Sequence, residues 1–203
     1  MTTTDLHTLI KERKTDKILS DSQLQIAPDH QEKFDTIVRE CVVTSGMAPF
    51  HYPSSKEIPE PWRAYLLWNQ QTNEIADMLT QEWKIESKEP QLANACSALI
   101  LVTWVSEKSE GDNAEMKEVE HIAAASAYIQ NLLLMLTSYQ IKNYWSSGGL
   151  FRGEKMFEHL KIPKGEKLLG AIFAQYPDSE CPDQVVKTGS LRELRTTDWI
   201  QER

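Results

Sequence analysis

Residues 120–149 read EHIAAASAYIQNLLLMLTSYQIKNYWSSGG, and the reading of this stretch decides the fold. Ile122, Ile129, Leu132, Leu133 and Leu136 recur at helical spacing, and Ala123, Ala124 and Ala125 let a neighbour approach closely. No Pro or Gly interrupts the run before Gly148. Its first part is therefore a helix that buries most of its surface, the central helix of a domain. Asn131, Thr137 and Ser138 break the apolar run, so a membrane span is the poorer reading. The stretch ends in Trp145-Ser146-Ser147-Gly148-Gly149, an aromatic face, two hydroxyls and flexible backbone. A loop of this composition at the end of a rigid helix suits a polar ligand group. An ordinary glycine stop after a core helix is the commoner explanation on spacing alone.

The sequence has 203 residues, enough for one domain or one domain with an appendage. Lys plus Arg number 22 against 30 Asp plus Glu, a net charge of −8. That argues against a general nucleic-acid surface, which needs a basic field to release counterions. A local cationic pocket for one phosphate is still compatible. Cys41, Cys96 and Cys181 are far apart, and no CxxC pair is present, so neither a zinc ribbon nor a disulfide framework is indicated. The opening, MTTTDLHTLIKERK, lacks the apolar core of a signal peptide. The expected setting is cytoplasmic.

Outward from the central helix, residues 4–14 read as a short amphipathic helix capped by Thr3 or Thr4 and closing on Lys11, Arg13 and Lys14, with Lys17 beyond. These cations suit a helix C-terminus or a bound phosphate. Pro28 or Asp29 opens a second helix. Its stripe of Phe34, Ile37, Val38, Cys41 and Val42 runs to a stop at Gly46. Residues 47–63 carry four prolines, a stiff loop of either binding or packing character. Ala64–Trp68 is a short strand, Ile75–Trp83 helical, and Ala98–Val105 a continuous apolar strand expected at the centre of a sheet. Residues 106–116 are polar and read as a surface loop. Glu154–Leu160 is a short helix, Pro163–Lys167 a turn, and Leu168–Tyr176 a second core strand. Residues 178–203 cannot form a core and read as an arm. The pattern points to an α+β fold, a sheet covered by helices.

Motif chemistry is sparse. Glu118-x-x-His121 is half of a di-iron pattern whose second half is missing, so no metal is expected. HExxH, GxSxG, P-loop and GxGxxG patterns are absent. What remains is distributed: Arg13, Lys14, Thr15 and Lys17, then a stiff loop with His51, then Trp145 to Gly148. Cations and hydroxyls suit a phosphate or a ring carbonyl edge, and an imidazole suits a planar cofactor.

In this order the motifs resemble the nitroreductase family of FMN-dependent oxidoreductases, especially its short bacterial members. Arg13-Lys14-Thr15 stands where the family has Arg-Arg-Ser. Ala48-Pro49-Phe50-His51 followed by Pro61-Trp62-Arg63 matches Ala-Pro-x-His and Pro-Trp-Arg. Gln130-Asn131 lies in the Ala-rich helix, and Trp145-Ser146-Ser147-Gly148 stands for Trp-Arg-Thr-Gly. Leu160 to Pro177 follows the closing pattern.

The resemblance implies a domain over residues 1–177 whose sheet is mostly antiparallel, and an arm over 178–203 that packs on a partner subunit. It implies a homodimer with FMN at the interface. By matching position, Arg13, Lys14, Thr15 and Lys17 would meet its phosphate, ribityl or pyrimidine edge. Met47 and His51 would come from the partner, and Trp145, Ser146, Ser147 and Gly148 would complete the site. Nicotinamide contacts would fall near 135–140. The implied reaction is ping-pong: flavin N5 takes hydride from NAD(P)H and passes it to a nitroaromatic, quinone or other small acceptor, with no protein nucleophile. Lys14 for Arg, Met47 where short members can carry Arg, and Ser146 for Arg soften the cation set. That keeps open two alternatives, a flavin-storing or regulatory module without turnover and an interaction protein without cofactor.

Overall fold

The computed structural model describes residues 5–107, 113–189 and 194–202. The central helix, α5, spans Ala114–Ser138 and starts six residues before the quoted stretch. The expected surface loop therefore ends early: Ala114–Met116 are helical, and residues 108–112 lie outside the described residues. By length and composition α5 could cross a membrane. Its Ala124, Ala125, Tyr128, Ile129, Leu132, Leu133 and Leu136 are instead buried against a sheet and against α2, Pro28–Ser45.

The sheet has four antiparallel strands in the order β2-β3-β5-β4. They are β2 (Trp62–Trp68), β3 (Ala98–Val105), β4 (Lys142–Ser146) and β5 (Glu166–Gln175). β3 lies between two partners, as its continuous apolar run predicts, and seven of its eight residues are buried. Alternation then divides its side chains. Ile100, Val102 and Trp104 join Ile172 and Ala174 beneath α2 and α5. Leu99 and Leu101 join Ala171 and Phe173 on the other face. That face is covered by α3 (Asn69–Asp77), a π-helical turn (Met78–Glu82), α4 (Glu89–Asn94) and α6 (Glu154–His159). Each fully buried leucine or isoleucine contributes about 2 kcal/mol relative to exposure, so both layers are held chiefly by apolar burial. Opposite Val102 and Thr103, β5 carries one extra residue, Leu169, between the paired Gly170 and Leu168. Such a bulge bends the strand locally.

Several expectations are corrected. α1 covers Leu6–Glu12, and Asp5 caps it by accepting from the His7 amide; Thr3 and Thr4 lie outside the described residues. The helix expected through Trp83 is α3 plus the π turn. Glu166 and Lys167 belong to β5, not to a turn. Trp145 and Ser146 end strand β4, so that motif is half strand and half loop. β1 (Asp16–Leu19) escaped the sequence reading because its partner, β6 (Val185–Thr188), comes from the polar tail. The first part of the arm thus pairs with its own chain. Residues 190–193 lie outside the described residues. Beyond them, Leu194 and Trp199 are exposed.

The prolines are one reason the 47–63 loop is ordered; hydroxyls supply the other. Ser54 Oγ donates to the Ile58 and Glu60 carbonyls at 3.0 and 2.8 Å, and its amide donates to Pro59 at 2.8 Å.

One carboxylate ties the end of β1 to the start of β6. Asp183 accepts from Ser20 Oγ at 2.6 Å, from the Asp21 amide at 2.9 Å and from the Ser22 amide at 3.2 Å. The Ser20 hydroxyl first, then the amides, hold its carboxyl below the usual carboxylate range. A carboxyl depressed in the folded state contributes stability above its unfolded value and loses it as pH falls through the lower folded value. Below about pH 4 the β1–β6 amides are therefore expected to lose protection against hydrogen exchange before those of β3. Asp183→Asn should remove that pH step, and equal protection at pH 3 and pH 7 would contradict the assignment.

Candidate functional site

Lys17 is the centre of the site. β1 alternates, so Ile18 is buried with Leu24, Ala95 and Cys181 while Lys17 faces the other way. There its ammonium stands 5.8 Å from the centroid of the Tyr144 ring on β4. The antiparallel register sets Lys187 of β6 directly opposite Lys17, and directly opposed residues share a face. Lys88, just before α4, approaches from a third side. Burial, then Lys88, then Lys187 hold the Lys17 ammonium below the ordinary lysine range, and Glu89 partly offsets them. Three cations of three different segments thus converge. Like charges opposed across a ladder are destabilising, so the arrangement costs stability that an anion would restore.

At the end of β4 the faces alternate: Tyr144 lies on the side of the lysines and Trp145 on the other side of the sheet. Trp145 is 37% exposed, and its indole lies directly on Gly170 of β5. Ser146 is turned inward: its hydroxyl accepts the Gly148 amide at 3.2 Å. Ser147 is exposed. Gly148 has φ +109°, a backbone conformation that a side chain would strain, and then a 3-10 turn runs from Gly149 to Arg152. Gly149 rests against the Glu89 carboxylate, to which Ser87 Oγ donates.

The ten expected residues fall into two groups. Arg13, at the end of α1, donates to the Lys14 carbonyl at 3.3 Å. Lys14 pairs with Asp16 at 3.7 Å, and the Thr15 carbonyl accepts the Gly189 amide at 3.1 Å. These three and Lys17 are contiguous, and β1 adjoins β4, which carries Trp145 and Ser146 and leads into Ser147 and Gly148. Met47 and His51 lie elsewhere. Met47 lines a recess with Trp62 and Ala64 of β2, Phe50 packs edge-on against Trp62, and His51 Nδ1 is 3.3 Å from Glu120 of α5. β2 and β4 are opposite edges of the sheet, three strand spacings or about 14 Å apart. The chain by itself therefore does not unite the two groups.

Lys88, Glu89, Lys187 and Tyr144 escaped the sequence reading. Lys187 follows a short β-branched pair, Val185-Val186, in a tail that looked unstructured, and no local signal joins it to residue 17. For Lys88, the only hint was Glu89-Pro90, a helix start. The half di-iron pattern resolves into structural contacts. His121 Nδ1 donates to the Val105 carbonyl at 2.9 Å, and Glu118 accepts from Ser106, the Glu107 amide and Lys167. Among the described residues no three His, Cys, Asp or Glu side chains converge as a metal site. Burial first raises the Cys41 and Cys96 thiols to about 12, so neither supplies a thiolate nucleophile at neutral pH. A cavity of ≈ 840 Å³ among Trp104, Arg152, Phe157, Leu168 and Leu169 contains none of the ten expected residues. It adjoins the site only through Leu168 and Arg152, which flank Gly148.

A four-stranded antiparallel sheet between helices, with a cation cluster beside the edge strand β4, defines an α+β protein. The sequence pattern of the Nitroreductase family matches residues 10–174, and the chain belongs to that family. The fold is similar to that of a nitroreductase-like family protein from Bacillus cereus, with 21% identity, 98% of each chain covered and a TM-score of 0.61. It is also similar to the nitroreductase CinD from Lactococcus lactis in complex with nicotinic acid, with 13% identity, 98% of this chain and 100% of that one covered, and a TM-score of 0.64. A third relative in structure is a nitroreductase with bound FMN from Desulfitobacterium hafniense, with 14% identity, 97% of each chain covered and a TM-score of 0.54. No curated protein matches the sequence.

Proposed function

We propose that the protein is a cytoplasmic, homodimeric FMN oxidoreductase that takes hydride from NAD(P)H and reduces a small acceptor such as a nitroaromatic or quinone. The observation that carries this reading is the convergence of Lys17, Lys88 and Lys187 beside Tyr144. FMN has a phosphate and an electron-rich pyrimidine edge for the cations and a planar ring for the aromatic wall, so these residues fit it. When bound, it supplies an N5 that accepts and returns hydride. Lys17 and its two neighbours hold the negative charge, Arg13 and Thr15 position the same side, and Ser147 offers a hydroxyl. Trp145 and the Gly148–Gly149 turn exclude water from one face. A second copy brings Met47 and His51, since within one chain they sit at the far sheet edge. The exposed Leu194 and Trp199 of the tail fit an arm that lies on that copy.

A second reading, flavin binding without turnover, is favoured by Lys14 and Ser146. Lys14 lacks the bidentate fork and lies 3.7 Å from Asp16, and Ser146 carries no charge, so the cation set of the family motif is reduced.

The test is the visible spectrum of the purified protein with FMN, then NADPH, then a quinone or nitroaromatic. A flavin spectrum that bleaches and recovers is expected. Binding without bleaching selects the second reading. No flavin binding overturns both.

A further inference from the structure

The ≈ 840 Å³ cavity lies where the two hydrophobic layers meet at one end of the sheet. Trp104, Ile122 and Leu169 reach it from the α5 layer, and Phe157, Ile162 and Leu168 from the α6 layer. The bulge in β5 explains how both layers open onto it. Leu168 pairs with Thr103 and Gly170 with Val102, so Leu169 is the extra residue. Two successive leucines therefore line one cavity, where a regular strand would send them to opposite faces. An apolar recess of this size suits a small molecule.

The rim is charged, and most of its charges are engaged. Lys164 lies 3.8 Å from Glu154, and Lys167 lies 3.1 Å from Glu118. Glu166 accepts from the Tyr65 and Thr103 hydroxyls. Arg152, Lys161 and Glu158 have no ion pair within 4.0 Å among the described residues. Glu158 is shared with a second recess that holds Trp83 and Lys155. The unpaired groups are thus two cations against one carboxylate, a balance that favours an anion. Arg152 is also held in place. It ends the 3-10 turn, and its stem packs on Gly148, where a Cβ would lie 3.1 Å from Arg152 Cγ. A guanidinium anchored by its stem offers a planar fork that meets a carboxylate with two parallel hydrogen bonds.

We propose that this cavity binds an aromatic monocarboxylic acid, with its ring among the apolar side chains and its carboxylate on Arg152. Lys161 adds a second positive charge at the rim. Trp104 and Phe157 supply aromatic surface, and a flat ring loses less freedom on binding than a flexible chain does. The site contains none of Lys17, Lys88 and Lys187 and does not rest on the flavin reading.

The experiment is isothermal titration calorimetry with 2-naphthoate and its neutral counterpart 2-naphthamide. The acid is expected to bind the wild-type protein about tenfold more tightly than the amide, as a charge-assisted contact does. Arg152→Gln should abolish that preference. Arg152→Lys, which keeps the charge without the fork, should keep only part of it. Lys17→Ala should leave both affinities unchanged. No binding of the acid, equal affinity for acid and amide, or a preference that survives in Arg152→Gln would overturn the proposal. Loss of acid binding in Lys17→Ala would overturn it too, because it would place the acid on the lysine cluster. If Arg152→Gln does not fold, Arg152→Lys decides, and an undiminished preference there counts against the site. No flavin enters the measurement, so its outcome is separate from that of the oxidoreductase reading.

Discussion

Replacing Gly170 by valine is expected to destabilise the fold by about 2 kcal/mol, the range of overpacking in a filled site, and to drive the Trp145 ring off the sheet. Strand propensity alone predicts the opposite sign, because valine suits a strand and glycine weakens one. The contact decides. A Cβ at position 170 would stand 2.1 Å from Trp145 Nε1 and 2.6 Å from Cδ1, so the indole cannot remain. Trp145 is one of the residues proposed to meet flavin, so the same substitution is expected to weaken flavin binding as well. Thermal melting measures the first effect, at about 2–4 °C per kcal/mol for a chain of this size. The cause is isolated by a double-mutant cycle with Trp145→Ala. In that background most of the Gly170→Val penalty should vanish. A penalty that persists undiminished would place the clash elsewhere.

Lys17→Ala should weaken FMN binding about tenfold to a hundredfold, the usual worth of a charge-assisted contact. The same change should leave thermal stability of the unliganded protein unchanged or raised. Both signs follow from one geometry. Lys17 is partly buried and faces Lys88 and Lys187, so without an anion its charge opposes folding; with one, it attracts. Fluorescence titration and thermal melting without ligand check the pair of outcomes. A variant that loses stability but keeps full FMN affinity would remove Lys17 from the site and make it a structural residue.

Much of the fold was legible because its signals are local. The continuous apolar run of Ala98–Val105 announced a strand covered on both faces, and Phe34, Val38 and Cys41 announced the buried stripe of α2. The α5 periodicity was equally clear from Ile129 to Leu136. The ordered motifs around Arg13, His51 and Trp145 pointed to the family, which the match over residues 10–174 shows. What escaped depends on partners distant in the chain. β1 and β6 are four residues each and mix polar and apolar residues on both sides, and neither has a reason to be extended until the other is beside it. Strand β4 was hidden because Trp145-Ser146 reads as turn chemistry, while its pairing with Ile172 and Ala171 is set by β5.

The sequence by itself determined the layers: hydrophobic period is a property of neighbours along the chain, and it assigns helix, strand and buried face without knowledge of the rest. It also determined which residue types were available for a ligand. Only the tertiary structure decided which of them meet. Lys17, Lys88 and Lys187 are joined by a strand register and a helix start that no spacing encodes, and Met47 with His51 is set at the opposite edge of the sheet. Charge acts through space over a few ångströms, whatever the separation in sequence, so the electrostatics of the site belongs to the fold and not to the motif.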